Sequence, residues 1–127
     1  MKIRKFAAVD IGSNAIRLLI QNVIEEHGKK TLFTKSELVR VPVRLGEDSF
    51  TVGEISEENA MRITKSMKAF QLLMDVNRVE NYMACATSAM REAKNGMEVI
   101  EKIHKESGIK IELIDGKREA EIIASTD

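Results

Sequence analysis

Apolar residues along this chain change their spacing several times, and each change marks a new element. Phe6-Ala7-Ala8-Val9 is a short apolar run stopped by Asp10 and the turn-forming Gly12-Ser13-Asn14, so it predicts a buried strand with a carboxylate at its end. Ile16, Leu18 and Ile20 then alternate with Arg17, Leu19 and Gln21, the period-two pattern of a partly buried strand. A tight hairpin at Gly12 is expected to join the two. His27-Gly28-Lys29-Lys30 supplies a second turn, and Val39, Val41 and Val43 give a third strand its apolar face until Pro42 removes a donor from the ladder. Three antiparallel strands are the simplest arrangement of this half.

The second half alternates helices with strands. Leu45-Gly46-Glu47-Asp48 and Val52-Gly53 are expected to be loop. Ser56 can cap a helix with Glu57 and Glu58 in its first turn, and Ile63, Met67, Phe70 and Met74 carry that helix to about Asp75. Tyr82-Met83-Ala84-Cys85-Ala86 is too short for a helix and predicts a central strand, closed by Thr87 and Ser88, either of which could cap a short helix. Asn95-Gly96 breaks the chain. Met97, Ile100 and Ile103 predict a second amphipathic helix with Gly108 as its C-terminal cap, and Ile109, Ile111 and Leu113 alternate as a strand. From Gly116 a last helix, with Ala120, Ile123 and Ala124 inward, is expected to reach the chain end. An antiparallel meander followed by crossover units that add parallel strands gives a mixed sheet flanked by helices. With no repeat or linker in sight, residues 1–127 read as a single domain.

Composition narrows the function classes. A chain of 127 residues with 43% hydrophobic and 31% charged residues suits one compact globular unit. Twenty basic and twenty acidic residues give no net charge, so nothing favours a nucleic-acid partner through counterion release. Cys85 is alone and cannot form an intrachain disulfide, while His27 and His104 lack metal-ligand spacing, which fits a reducing cytoplasm. The apolar run before Asp10 is too short for a signal core or a membrane span, so a soluble, cytoplasmic protein with no membrane partner is expected.

Three stretches carry candidate chemistry, and each follows a predicted strand, where ligands collect in α/β folds. In Asp10-Ile11-Gly12-Ser13-Asn14-Ala15-Ile16-Arg17, a strand-end acid precedes glycine and small polar residues. Backbone N–H groups there can face a phosphate while the acid faces a metal or its water. A plain hairpin, with Gly12 at positive φ and with Asp10 and Asn14 bonding local backbone, explains the same residues. Ala86-Thr87-Ser88-Ala89-Met90-Arg91-Glu92-Ala93 puts two hydroxyls at a strand-to-helix junction, where Arg91 could hold a phosphate bidentately or simply sit on a capped helix beside Glu92. Asp115-Gly116-Lys117-Arg118-Glu119-Ala120-Glu121 offers a general base for water, or acids that merely complement a helix dipole. Cys85 reads as a small buried hydrophobe.

Taken together, Asp10-Ile11-Gly12-Ser13-Asn14 with Ile16-Arg17-Leu18, Arg44-Leu45-Gly46-Glu47, Ala86-Thr87-Ser88-Ala89-Met90-Arg91 with Asn95, and Gly116 with Glu119-Ala120 resemble the exopolyphosphatase and guanosine-pentaphosphate phosphohydrolase family. The resemblance implies a ribonuclease-H-like fold of the actin-like ATPase superfamily, repeated in two domains around a cleft, with this chain as the N-terminal one and the second domain absent. It implies an Mg²⁺-assisted hydrolase acting on polyphosphate or guanosine pentaphosphate. Gly12, Ser13 and Asn14 would form the first phosphate loop, Arg91 would bind substrate phosphate, Glu119 would activate water, and Asp10 would serve Mg²⁺ through water. Ala15 stands where the family commonly has serine, and Arg118 replaces a frequently acidic residue. A second glycine-rich loop, with its metal-binding acid, would follow beyond Asp127. A nucleotide-binding domain of a sugar or acetate kinase shares the fold and first loop but not the second and third motifs. A non-catalytic module that binds a phosphorylated ligand is the other class. Apolar surface left by a missing domain would favour a homodimer.

Overall fold

The computed structural model describes residues 2–118. The helix expected around Ala120, Ile123 and Ala124 falls outside the described residues. The strands are β1 (Lys2–Ile11), β2 (Ala15–Glu25), β3 (Leu32–Pro42), β4 (Asn81–Ala86) and β5 (Glu112–Leu113). They form one sheet in the order β3-β2-β1-β4-β5. β1 and β2 are antiparallel, as are β2 and β3, while β4 runs parallel to β1 and β5 parallel to β4. This is the ribonuclease-H-like mixed sheet that the resemblance implies, three antiparallel strands followed by parallel ones.

Strand alternation sorts the sheet into two unlike faces. Ala7, Val9 and Ile11 of β1, Ile16, Leu18 and Ile20 of β2, and Ala84 and Ala86 of β4 lie on one face, all buried. Against them pack α2 (Glu57–Val76), through Ile63, Met67, Phe70 and Met74, and α4 (Gly96–Ser107), through Val99, Ile100 and Ile103. Ser56 caps α2 as expected, its hydroxyl accepting the Asn59 N–H at 3.2 Å. Gly108, at φ 79°, ends α4 with its N–H on the His104 carbonyl at 2.9 Å. The opposite face leaves Ala8, Leu38 and Met83 exposed among the described residues.

Four local expectations change. Residues 45–52 are helical rather than loop, a short turn α1 (Leu45–Glu47) running into a π-helical turn (Asp48–Val52) that Gly53 ends at φ 92°. Leu45 is the reason: it is fully buried, so this segment must pack instead of spanning open surface. Met97 is exposed, because Val99 takes the inward position beside Ile100 and Ile103. β5 has two residues, not five, since the Lys110 N–H turns to the Tyr82 hydroxyl at 3.1 Å before the ladder begins, although Ile109 and Ile111 are buried. Cys85 is half-buried rather than buried, because its register with Asp10 puts it on the open face.

Asp48 ties the helical turns to α2. Its Oδ2 accepts the Ser56 N–H and hydroxyl, each at 3.0 Å, and the Asn59 amide at 2.8 Å. Burial by itself would raise the Asp48 carboxyl, but those three hydrogen bonds outweigh it and hold the group below its ordinary value of 3.8. Because the folded value is depressed, the stabilisation is present above pH 3.8 and is lost as pH falls through the folded value. Urea midpoints measured from pH 6 down to pH 2 should fall less steeply in the acid range for Asp48→Asn than for the unaltered chain; parallel profiles would contradict this account. In the core, Phe70→Ala should lower stability by about 3–5 kcal/mol, whereas exposed Leu72→Ala should stay within about 0.5 kcal/mol. Equilibrium unfolding in urea checks both.

Candidate functional site

At the end of β1 the backbone passes through Gly12, Ser13 and Asn14 into β2, and neighbouring segments bind this loop. The Gly12 N–H closes the turn on the Ala15 carbonyl at 3.0 Å. The Ser13 carbonyl accepts the Gly46 N–H at 2.9 Å, and the Asn14 carbonyl accepts the Val43 N–H at 3.2 Å. From β4, the Thr87 N–H reaches the Ile11 carbonyl at 3.3 Å, and the Ser13 and Ser88 hydroxyls lie 3.4 Å apart. Three of the segments singled out in the sequence therefore meet at one strand end. The Ser13 and Asn14 carbonyls are spent on protein, while the N–H groups of the same two residues make no hydrogen bond among the described residues. Two adjacent unpaired N–H groups in a turn form the kind of concavity that takes an anion.

α3 (Ser88–Glu92) follows directly, with Thr87 at its start, but neither hydroxyl makes the expected capping bond to the helix backbone. Thr87 is buried and Ser88 is within reach of Ser13. Arg91, expected to hold phosphate, donates from Nη1 to the Ile114 carbonyl at 2.5 Å and lies 3.7 Å from a Glu92 carboxylate oxygen. Guanidinium has five N–H donors, so the bond to Ile114 leaves others to act. It also fastens α3 to the end of β5, where the Ile114 N–H continues the pairing to the Ala86 carbonyl at 3.0 Å. Asp115 then accepts the Arg118 N–H at 2.8 Å, as an N-cap does at the turn over 116–118. Glu119, the expected base, lies outside the described residues.

Asp10 does not bond the local backbone. Its Oδ2 receives Arg17 Nη2 at 2.8 Å, because a loop of three residues places the two directly across the β1–β2 ladder. That partner was missed in the sequence, although the hairpin register alone could have found it. Among the described residues no cluster of three or more His, Cys, Asp or Glu could hold a metal. Asp10 is thus a lone carboxylate, ion-paired to Arg17, and a lone carboxylate suits a divalent cation that keeps most of its water rather than an all-protein cage.

Asn95 has a structural task that its motif did not reveal. Its side-chain amide accepts the Ile55 N–H and donates to the Ile55 carbonyl, both at 2.8 Å, so it pairs with that segment as a strand would. Beside it the Lys94 N–H bonds the Gly53 carbonyl at 2.9 Å. These bonds hold residues 53–55 against the corner between α3 and α4, behind the loop.

Compared with known proteins, residues 23–126 match the profile of the Ppx/GppA phosphatase family. The bifunctional 3-dehydroquinate synthase/phosphatase of Fusobacterium nucleatum is 35% identical over 122 residues, covering 91% of this chain and 18% of that protein. Exopolyphosphatase 1 of Mycobacterium tuberculosis is 27% identical over 120 residues, covering 93% of this chain and 33% of its own length. The crystal structure of the Aquifex aeolicus Ppx/GppA family member superposes with a TM-score of 0.84 at 30% identity, over 93% of this chain and 37% of that one. The chain thus spans between 18% and 37% of the length of these relatives.

Glycine positions give a test of the local geometry. Gly12 is not at positive φ, contrary to the hairpin expectation; the positive-φ glycines among the described residues are Gly28, Gly53 and Gly108. A Cβ at Gly12 would stand 3.2 Å from the Ala15 carbonyl oxygen, a tight contact a few tenths of an ångström short of ordinary packing. At Gly96 it would stand 2.1 Å from the Met90 carbonyl oxygen, which is backbone. Gly96→Ala should therefore lower the melting temperature well beyond Gly12→Ala; the reverse order would refute this geometry.

Proposed function

The chain belongs to the Ppx/GppA phosphatase family, and on that premise we propose that it forms the N-terminal half of a phosphohydrolase releasing terminal phosphate from inorganic polyphosphate or guanosine pentaphosphate. The observation that carries this reading is the meeting of loop 12–14, Gly46 and the Thr87–Ser88 junction at one strand end, with two N–H groups unspent. Relatives named exopolyphosphatase support polyphosphate as the substrate class. Their greater length supports a second domain that faces this one across a cleft and supplies the remaining phosphate loop and metal-binding acid.

In this reaction the Ser13 and Asn14 N–H groups and the free donors of Arg91 bind the terminal phosphoryl oxygens. Glu119 accepts a proton from a water in line with the bridging P–O bond. The water oxygen bonds to phosphorus, the bridging bond breaks, and the shortened chain leaves with the electron pair. When bound, Mg²⁺ supplies charge neutralisation at the phosphates, and Asp10 would hold it through its water shell. The bond from Arg91 to Ile114 couples the phosphate contact to the segment that leads to Glu119.

Phosphate release from polyphosphate by the two-domain enzyme tests the reading. It should require Mg²⁺, fall roughly 10²- to 10⁴-fold in Glu119→Gln with the melting temperature unchanged, and fall little in Glu121→Gln. Arg91→Lys should weaken substrate binding by about 1–3 kcal/mol, since a lysine lacks the planar fork. Residues 1–127 alone should melt in one transition and release no phosphate above background. Loss in Glu121→Gln with Glu119→Gln intact would move the base, and robust hydrolysis by residues 1–127 alone would overturn the two-domain cleft.

A further inference from the structure

At the end of the sheet away from the loop, β1 begins before its neighbour does. Lys2 to Lys5 pair with β2 on one side, but β4 joins the other side from Phe6 onward, so that side of residues 2–5 carries no strand among the described residues. The Lys5 carbonyl takes the Glu80 N–H at 2.9 Å, and there the pairing stops. Against this open edge lies a depression of about 450 Å³, lined by Ile3, Arg4 and Lys5 of β1 and by Val76, Arg78 and Glu80 from the end of α2 onward. Ile3 is 55% exposed and Val76 78%, two apolar side chains with little cover.

Arg78 sets this corner apart. It is the one residue besides glycine with a positive φ, 57°, among the described residues. Its N–H bonds the Asp75 carbonyl at 3.1 Å and the Val79 N–H bonds the Met74 carbonyl at 3.0 Å, the left-handed turn that closes a helix. Gly108 fills the corresponding place after α4; a side chain there strains the backbone. The field of a helix C-terminus favours a cation nearby, but one within the last turn would meet it without strain. The charge is also left over. Glu80 and Glu25 lie 2.8 and 4.0 Å from Arg4, Asp75 takes the Gln71 amide at 3.0 Å, and Glu26 takes Lys29 at 3.4 Å. The side chains of Lys2, opposite Glu25, and of Lys5 and Arg78 make no hydrogen bond or ion pair among the described residues. Cations at an open edge deter pairing between sheets, yet that task needs no left-handed arginine, and exposed Ile3 and Val76 work against it.

We infer that this edge is a docking groove for an acidic, leucine-bearing segment of a partner protein, which adds as a short strand beside residues 3–5 and places a carboxylate on Arg78. Main-chain hydrogen bonds to the open edge hold such a segment, its apolar side chains cover Ile3 and Val76, and its acids give Lys5 and Arg78 the charge they lack. A guanidinium meets a carboxylate through two parallel bonds, which fixes the register of the added strand. The concave shape favours a segment of chain over a flat bilayer surface. Because the groove lies at the opposite end of β1 from loop 12–14, it stands independently of the phosphohydrolase reading.

The test titrates the 127-residue chain with an end-blocked peptide of alternating glutamate and leucine, following the amide resonances of Ile3, Lys5, Ser13 and Asn14 by NMR. The same peptide with glutamine for every glutamate is the control. The glutamate peptide should shift Ile3 and Lys5, leave Ser13 and Asn14 in place, and bind at least about tenfold more tightly than the control. Arg78→Gly should remove about tenfold of that affinity while raising the melting temperature, because it takes away the strain together with the charge. Arg78→Lys should keep part of the affinity without the gain in melting temperature. Equal binding of the two peptides, an Arg78→Gly chain that binds as tightly as the unaltered one, or no response of Ile3 and Lys5 to either peptide overturns the groove. Shifts of Ile3 and Lys5 that grow with protein concentration in the absence of peptide give the edge to a second copy of the chain and overturn the partner.

Discussion

The two-sided pairing of β1 is the constraint on which the other features rest. β2 binds one edge of it antiparallel and β4 binds the other parallel, so every residue from Phe6 to Ile11 has a fixed neighbour on both sides. A slip of one residue would turn Val9 and Ile11 to solvent and bury Asp10, at a cost that the hydrophobic face forbids. Register thus sets Arg17 opposite Asp10, and the end of that register decides where the loop begins. The Thr87 N–H on the Ile11 carbonyl extends the same pairing by one more bond, which carries Ser88 to Ser13.

Around that strand end the site is built mostly from backbone. The Ser13 and Asn14 carbonyls are consumed by the Gly46 and Val43 N–H groups, and the Gly12 N–H closes on the Ala15 carbonyl, so the polarity of the turn is set by neighbours rather than by its own side chains. Behind the loop, Asn95 and Asp48 perform corresponding tasks, one pairing with Ile55 and the other gathering Ser56 and Asn59. Both hold the chain between β3 and α2 in place without touching the loop. Rigid support at one remove is what a site made from backbone donors requires, because such donors cannot adjust by rotating a side chain.

Much of this was legible in the chain itself. Alternation in β2, the helical stripe of Ile63, Met67, Phe70 and Met74, the Ser56 cap and the Gly108 stop are local signals, and each appears where it was expected. The short segments were less legible. Residues 45–52 carry glycine and acids that look like loop, yet a fully buried Leu45 decides for packed helical turns. Ile109, Ile111 and Leu113 alternate as a long strand would, but the Tyr82 hydroxyl competes for the Lys110 N–H and shortens the ladder.

By itself, then, the sequence determined the order of the strands and of the two long helices and most of their buried faces, since periodicity and capping act over a few neighbouring positions. Tertiary structure alone decided which partners the candidate residues take. Arg17 became the partner of Asp10, Arg91 the tie to Ile114, Asn95 the clamp on Ile55, and Cys85 a member of the open face. Each of these follows from strands and loops distant in sequence being brought into one register, and a pairing across the sheet has no local signature in the chain that makes it.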